Sequence, residues 1–270
     1  MITPHKSEPL LRWFRLYNRH FLRRNFHRVH LDGDLSQLMG DGHTPLLLCV
    51  NHSSWWDLLM GVLGDELLDG WDSYAPMDEV QLRRYRFFAS LGVIGVDRTS
   101  LHGAKEFVAF AQELLHGKQR ALWITPQGEF TSNTRRPIHF QPGVGHIAQE
   151  LGEFYVSTVV FDYEHWSEKR PEAFLSLKPF ERITVTSEFD RKAFVHRLEQ
   201  NMESHLDALQ AIREQRNPAL FTPLLQNGGG ISPVYDVARS ITAKWRGEPL
   251  VRAHGEVETT PWREMKRPKP

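Results

Sequence analysis

The sequence predicts an α/β fold in which a mostly parallel sheet is flanked by helices. The first observation is that short apolar runs alternate along the chain with amphipathic segments of helical period. The second is the run TPLLLCVN at 44–51, whose continuous apolar middle is typical of a strand buried on both faces. Strands that alternate with helices pair in parallel, because each helix returns the chain to the same end of the sheet.

The predicted elements follow this alternation through most of the chain. Strands are predicted at 44–51, 93–96, 121–125, 154–161, 172–178 and 182–188. Helices are predicted at 57–68, 81–91, 103–116, 143–151 and 190–215. A glycine-rich break at 227–230 precedes one more predicted helix at 231–246 and a tail rich in proline and charge. We therefore divide the chain into a basic helical segment (1–30), an α/β domain (31–226), and a linker, short helix and tail (227–270).

The composition is that of a globular protein without a strong overall charge. Of the 270 residues, 40% are hydrophobic and 24% are charged, which excludes wholesale disorder. Lys plus Arg and Asp plus Glu number 33 each, so the net charge does not favour nucleic acid as a partner. The single Cys49 cannot form an internal disulfide. No apolar run is long enough to cross a bilayer, and no signal-peptide core is present, so we expect a cytoplasmic protein, soluble or bound to a membrane surface.

The first 30 residues interleave cations with aromatic and aliphatic side chains. The cations are Lys6, Arg12, Arg15, Arg19, Arg23, Arg24 and Arg28, against the acid Glu8. Apolar positions 10, 14, 17 and 21 recur at helical spacing, which predicts an amphipathic helix or helix pair. Such a helix can dock on a lipid surface, with arginines on phosphates and rings among the headgroups. The alternative is a helix that packs its apolar face on the domain and leaves its arginines in water.

The stretch VNHSSWWDLLMG at 50–61 places His52 and Asp57 at the end of the first predicted strand. Ligands of open α/β sheets collect at the carboxyl ends of strands, and Asp57 falls in the first turns of the following helix. A carboxylate on one ring nitrogen fixes the tautomer of the imidazole and makes the other nitrogen a general base. The spacing by itself also occurs by chance. No G-x-S-x-G nucleophile motif is present, and Cys49 lies in an apolar run, where packing is its expected role.

Four further stretches, taken in order with the first, resemble the glycerolipid acyltransferase family, the 1-acylglycerol-3-phosphate acyltransferases and their relatives. The motif N-H-x-S-x-x-D is matched by Asn51, His52, Ser54 and Asp57. In LGVIGVDR, Gly92 and Arg98 have the spacing of the family's glycine and phosphate-binding arginine. ITPQGEFTS at 124–132 lies where the family has Phe-Pro-Glu-Gly-Thr-Arg-Ser, and FQPGVGHIA and EFYVSTVV follow as expected. The resemblance covers about residues 45–165.

The resemblance implies an O-acyltransferase that acts without an acyl-enzyme. The histidine of this family deprotonates an acceptor hydroxyl, which attacks the thioester of acyl-CoA or acyl-acyl-carrier-protein. By this resemblance His52 and Asp57 are catalytic, and the second-rank, substrate-binding residues are Asn51, Ser54, Arg98, Gln127 and Gly128. The implied partners are a lysolipid acceptor, an acyl-CoA or acyl carrier protein donor, and a membrane lipid surface on the inner face of the cell membrane, with no metal or other cofactor. Backbone N–H groups near Gly128 are expected to stabilise the oxyanion.

The third block departs from the family at positions that bear on the acceptor. Gln127 replaces the usual glutamate and keeps hydrogen-bonding capacity without charge, while Phe130 replaces the arginine and cannot bind phosphate. Glu129 adds negative charge, and Arg135 and Arg136 are either substitutes for the lost cation or ordinary surface residues. A neutral or differently charged acceptor, such as a lyso-aminolipid or a glycosylated lipid alcohol, is therefore an alternative to lysophosphatidic acid, although Arg98 remains.

Two other functions fit the same sequence. One is a non-catalytic, lipid-binding relative with a decayed third block, and the other is a thioesterase or lysolipid hydrolase that uses water as the acceptor. Trp55 and Trp56, between the two catalytic candidates, are expected to divide their roles, one packed inward and one facing the site.

Overall fold

Six α-helices and nine strands are present in the computed structural model, which describes residues 1–34, 40–68 and 70–227. The helices are α1 (Glu8–Asn25), α2 (Asp57–Asp65), α3 (Glu79–Arg84), α4 (Leu101–Leu115), α5 (Gly143–Leu151) and α6 (Arg191–Arg213). The strands are β1 (Arg28–Asp32), β2 (Leu46–Val50), β3 (Asp72–Asp78), β4 (Val93–Val96), β5 (Arg120–Ile124), β6 (Glu153–Glu164), β7 (Glu172–Leu177), β8 (Glu181–Thr184) and β9 (Thr222–Gln226). The predicted helix at 231–246 and the tail lie outside the described residues.

All nine strands belong to one sheet, which confirms the α/β class but is mixed. The strand order is β4-β3-β5-β2-β6-β7-β1-β9, with β8 beside the first half of β6. The pairs around the centre, from β4 to β6, are parallel. Antiparallel pairing occurs where β6 meets β7 and β8, and where β9 closes on β1. The expectation of a mostly parallel sheet therefore describes the central strands and the β7–β1 pair, while the antiparallel pairs beyond β2 make the sheet mixed.

Three strands that the sequence did not predict carry polar or proline residues. Pro223 lies in β9, an edge strand, which is where a sheet tolerates proline. Pro76 lies in β3, whose first half pairs with β5 and whose second half pairs only with β4. Each half of β3 thus has one neighbour, which leaves a free side for the proline. The third, β1, is the short polar-alternating run RVHLD.

The central strand β2 is apolar throughout because it is covered on both faces. Leu47 and Cys49 belong to the core beneath α4, α5 and α6. Leu46, Leu48 and Val50 belong to the opposite core, which includes residues of α1 and α2. Successive side chains of a strand point to opposite faces, so a strand between two helical layers needs no polar position.

The N-terminal helix packs on the domain, and of the apolar positions 10, 14, 17 and 21 only Tyr17 is turned outward, since Phe14 is buried and Leu10 and Phe21 are partly buried against the core. Its buried residues are Leu11, Phe14, Asn18 and Leu22. This face turns Trp13, Leu16 and Tyr17 outward, where they are 59%, 71% and 45% exposed. The apolar pattern does not include position 18, because Asn18 is polar. The buried amide of Asn18 donates to the carbonyl of Leu59 at 2.9 Å.

Two arginines of α1 are used in packing against α2. Arg15 bonds Asp65 and Arg19 bonds Glu66, each at 2.7 Å. Among the described residues, no helix is both long and apolar enough to cross a bilayer.

A buried histidine joins α6 to the sheet. The ring of His205 lies 2.8 Å from Thr158 Oγ1 through Nδ1 and 2.8 Å from Ser176 Oγ through Nε2. Burial, the larger cause, and the nearby charge of Lys178 together lower the pKa of His205 to about 3. The folded protein therefore holds this ring neutral at pH values where an unfolded chain would protonate it.

We expect this histidine to make the fold sensitive to mild acid. Its folded pKa lies below its unfolded value of about 6.5, so its contribution is complete above pH 6.5 and is lost as the pH falls toward 3. When the pH is lowered from 7.5 to 5.5, the free energy of unfolding should fall in both proteins. The fall in the wild type should exceed the fall in His205→Gln by about 1.4 kcal/mol. Urea unfolding at both pH values measures this difference. The exposed His196→Gln variant should match the wild type, and an equal loss in His205→Gln and wild type would contradict the assignment.

Candidate active site

The turn between β2 and α2 is organised around the carboxylate of Asp57. This residue is only 4% exposed and lies in the first turn of α2. Its Oδ2 accepts from the backbone N–H groups of Ser53 at 2.7 Å and Ser54 at 2.9 Å. The same oxygen lies 3.0 Å from His52 Nδ1. The predicted pairing of His52 with Asp57 is therefore present in the structure, with Nδ1 donating to the carboxylate and Nε2 left to accept a proton.

The second carboxylate oxygen is held by a residue that sequence reasoning missed. Tyr163 Oη donates to Asp57 Oδ1 at 2.7 Å. Burial is the main cause that raises the pKa of Tyr163 well above its usual range, and the charge of Asp57 adds to it, so the phenol stays a neutral donor. Tyr163 lies in β6, two residues after the apolar run that predicted this strand. No spacing rule points to it, because only the pairing of β6 with β2 brings it near Asp57.

The backbone of His52 is fixed by the loop that follows β5. Its N–H donates to Gln127 Oε1 at 2.8 Å, and its carbonyl accepts from the N–H of Thr131 at 2.7 Å. Gln127 is 7% exposed. The side chain of Gln127 thus holds the peptide of His52, a task that needs an acceptor oxygen and no charge.

Asn51 fixes the start of the turn to β6. Its Oδ1 accepts from the N–H of Phe161 at 2.7 Å, and its Nδ2 donates to the carbonyl of Phe161 at 2.8 Å. Nδ2 also donates to Asn133 Oδ1 at 2.7 Å. These bonds use most of the capacity of the amide, so the structure places Asn51 in the frame of the site.

The remaining sequence-predicted residues lie around the same two loops. Ser54 Oγ accepts from the N–H of Trp56 at 3.3 Å, as expected at a helix start. The exposed Arg98, just beyond β4, donates from its guanidinium to the carbonyl of Gly128. Gly128 has φ +78°, and its own N–H donates to Thr125 at 3.0 Å. That N–H is committed to a turn, which leaves it unsuited to the oxyanion role expected near this glycine.

Comparison with known proteins assigns this arrangement to a family. A family model described as Acyltransferase matches residues 24–162, more than half of the chain. The chain belongs to the acyltransferase family. The crystal structure of the 1-acyl-sn-glycerophosphate (LPA) acyltransferase PlsC from Thermotoga maritima is similar in fold, with a TM-score of 0.51 and 14% identity. The match covers 74% of this chain and 80% of that one. Comparison with curated proteins gives no match.

As an acyltransferase, the protein is unusual in the third family motif, and the structure shows what the change does. The ring of Phe130, at the position of the family's arginine, lies on the imidazole of His52, with the centroids 4.2 Å apart. Phe130 is 62% exposed, so its second face is open. The nearby Arg136 donates to the carbonyls of Asn133 and Arg135 and pairs with Asp207 on α6. Arg136 is therefore engaged in structure, which favours the interpretation as an ordinary loop residue.

The paired tryptophans of this acyltransferase do divide between the interior and the surface. Trp56 contacts Phe26 edge-on at 4.8 Å and Phe21 at 5.8 Å, so it packs on α1 and its end. Trp55 is 64% exposed and contacts Trp56 at 5.3 Å. The thiol of Cys49 is not suited to be a nucleophile. It is buried, and burial raises its pKa to about 12.

An open cavity of about 520 Å³ lies next to the His52–Asp57 pair. Ser53, Phe130 and Tyr163, each in contact with or next to the pair, form one wall. The loop after β5 and the last turn of α6 form the rest. The cavity thus reaches the His52–Asp57 pair through Phe130, which contacts His52, and Tyr163, which bonds Asp57.

We expect Tyr163→Phe to lower kcat about tenfold while leaving KM within twofold. The change removes one donor from Asp57 without altering the cavity volume, and a hydrogen bond to a charged group contributes about 1.5–3 kcal/mol. Steady-state acyl transfer measures both constants. The matched control is Tyr85→Phe, which removes the hydroxyl of an exposed tyrosine. Unchanged kcat in Tyr163→Phe would show that the phenol does not position the carboxylate.

Proposed function

We propose that this acyltransferase moves a fatty acyl group from an acyl thioester, acyl-CoA or acyl-acyl-carrier-protein, to a hydroxyl of a lysolipid in membrane lipid synthesis. The observation that supports it best is the oriented pair, with His52 Nδ1 3.0 Å from Asp57 Oδ2. The imidazole is partly exposed while the carboxylate is buried, so the base can meet substrate and its partner cannot exchange into water. This intact geometry argues against a non-catalytic, lipid-binding relative.

In the proposed reaction His52 Nε2 takes the proton of the acceptor hydroxyl as its oxygen attacks the thioester carbon. The carbonyl π electrons move to oxygen and give a tetrahedral oxyanion. Its collapse breaks the carbon–sulfur bond and releases a thiolate, which takes the proton back from the imidazolium. The products are the acylated lipid and the free thiol, and Asp57 holds the ring in place while its charge changes.

We also propose that the protein works at a lipid surface, peripherally on the inner face of the membrane. Trp13, Leu16 and Tyr17 form an exposed apolar strip on α1. Ring contacts continue this strip from Tyr17 through Phe21 to Trp56 and Trp55. Its flanking cations are the exposed arginines 12, 23 and 24. Rings among headgroups and arginines on lipid phosphates are the usual features of an interfacial helix.

Loss of the base should abolish transfer. We expect His52→Ala to lower kcat/KM at least 10³-fold and Asp57→Asn at least 10²-fold, in the range of lost general-base catalysis. The assay follows labelled acyl groups from acyl-CoA and acyl-acyl-carrier-protein to a panel of lysolipids. His196→Ala, which removes an exposed histidine of α6, is the control and should retain full activity.

Two outcomes would overturn this proposal. Activity retained in His52→Ala would exclude the histidine as the base. Release of free fatty acid without acylated lipid, sensitive to the same substitution, would identify a hydrolase that uses water.

Exposed apolar side chains of α1 should determine membrane binding without supporting the fold. We expect Trp13→Ser/Leu16→Ser to weaken binding to anionic vesicles at least tenfold, because each large apolar side chain contributes about 1.5–3 kcal/mol when fully buried. Vesicle co-sedimentation measures the effect. Leu220→Ser is the control. Leu220 is exposed and precedes β9, and it lies at the other end of the sheet from Val50, the residue that ends β2 before the His52 turn. Equal binding of the double variant and wild type would contradict docking through α1.

A further inference from the structure

The cavity beside His52 is lined mainly by uncharged hydrogen-bonding groups. These belong to Ser53, Thr131, Ser132, Thr134 and Gln210. Ser132 Oγ and Thr134 Oγ1 lie 2.9 Å apart and bond each other, so they present neighbouring hydroxyls on one loop. A hydroxyl both donates and accepts, which suits it to the hydroxyls of a ligand and less to an anion that only accepts.

The charges at this cavity are already paired. Arg213 is the one cation among the described residues that line it. Its Nη1 bonds Asp162, and its Nε lies 2.8 Å from Glu164 Oε2. A phosphate dianion placed here would meet a neutralised guanidinium and two carboxylates, with Glu129 next to Phe130 as a further negative charge. Arg98 is not among the lining residues.

One hydroxyl next to the base lacks a protein partner. Ser53 Oγ is buried and makes no hydrogen bond with any described residue, although the N–H of Ser53 bonds Asp57. An unsatisfied buried polar atom is costly, typically by about 1–3 kcal/mol, and such atoms mark places where a ligand completes the bonding. Ser53 lines the cavity, and its N–H shares Asp57 Oδ2 with the ring of His52, so a ligand hydroxyl at Ser53 Oγ lies near that pair.

The outer face of Phe130 supplies an apolar wall. The inner face of this ring contacts His52 at 4.2 Å between centroids, and the residue is 62% exposed. The C–H face of a sugar or polyol packs on such a ring by dispersion, while its hydroxyls reach the polar loop. A phosphate group gains nothing from this contact.

We propose that this cavity binds the headgroup of the acceptor, and that the headgroup is an uncharged polyol such as a sugar. The inference rests on the proposed acyl transfer and specifies its substrate class. One hydroxyl of the acceptor lies at His52 Nε2, and the rest of the headgroup occupies the cavity against Phe130, Ser132 and Thr134. Phe130 is then the specificity-determining residue, because its exposed ring beside His52 offers a surface for a sugar ring and no charge for a phosphate.

The test compares two acceptors that share one oleoyl chain, 1-oleoyl-3-glucosylglycerol and 1-oleoylglycerol-3-phosphate, with oleoyl-CoA as the donor. We expect kcat/KM of the wild type to be at least tenfold higher for the glucosyl acceptor. Phe130→Arg should reduce this ratio at least tenfold. Ser132→Ala should raise KM for the glucosyl acceptor about three- to tenfold with kcat retained, and Ser187→Ala, in the exposed loop before α6, should change neither constant.

The outcomes separate this inference from the proposed function. A wild-type preference for the phosphate acceptor, abolished in His52→Ala, would overturn the polyol assignment and leave acyl transfer intact. No product with either acceptor would overturn acyl transfer to these lysolipids and the assignment of the cavity with it. If Phe130→Arg does not fold, Phe130→Tyr takes its place and must keep the preference for the glucosyl acceptor. The comparison of the two acceptors with wild-type protein then decides the question by itself.

Discussion

The site depends on one buried carboxylate and the donors that satisfy it. Asp57 receives the backbone N–H groups of Ser53 and Ser54, the ring of His52 and the phenol of Tyr163. A buried carboxylate without partners is strongly destabilising, so the turn from β2 into α2 must adopt the conformation that supplies them. The same bonds that stabilise the turn orient the ring of His52, the base of the proposed mechanism. Stability of this loop and the orientation of that ring therefore have one physical cause.

The sheet brings the three parts of the site together. β2 lies between β5 and β6 and runs parallel to both, so their carboxyl ends meet at one edge. His52 follows β2, Gln127 follows β5, and Tyr163 lies near the end of β6. Residues separated by more than 70 positions thus contact each other within a few ångströms. Each strand delivers one component, namely His52, the side chain of Gln127 that holds its peptide, and the hydroxyl of Tyr163 that donates to Asp57.

The sequence was sufficient for the central strands, most helices and the His52–Asp57 pair, because these depend on local apolar periodicity and a compact motif. It failed for β1, β3 and β9, whose pairing is decided by neighbours distant in the chain. It predicted the amphipathic helix α1 but gave no sign that Asn18 is buried, because that polar side chain is held by a carbonyl of α2. Tyr163 could not be found for the same reason, since its partner lies 106 residues away in the chain. Long-range hydrogen bonds leave no local pattern.

The central claim is that His52 activates the acceptor directly and that the protein forms no acyl-enzyme. The deep burial of Cys49 and the absence of a serine elbow motif agree with it. Initial rates measured while both substrates are varied test this most directly, combined with the intact mass of protein incubated with acyl-CoA alone. We predict intersecting double-reciprocal lines and no change in mass. Parallel lines, together with a mass increase of one acyl group, would contradict the account.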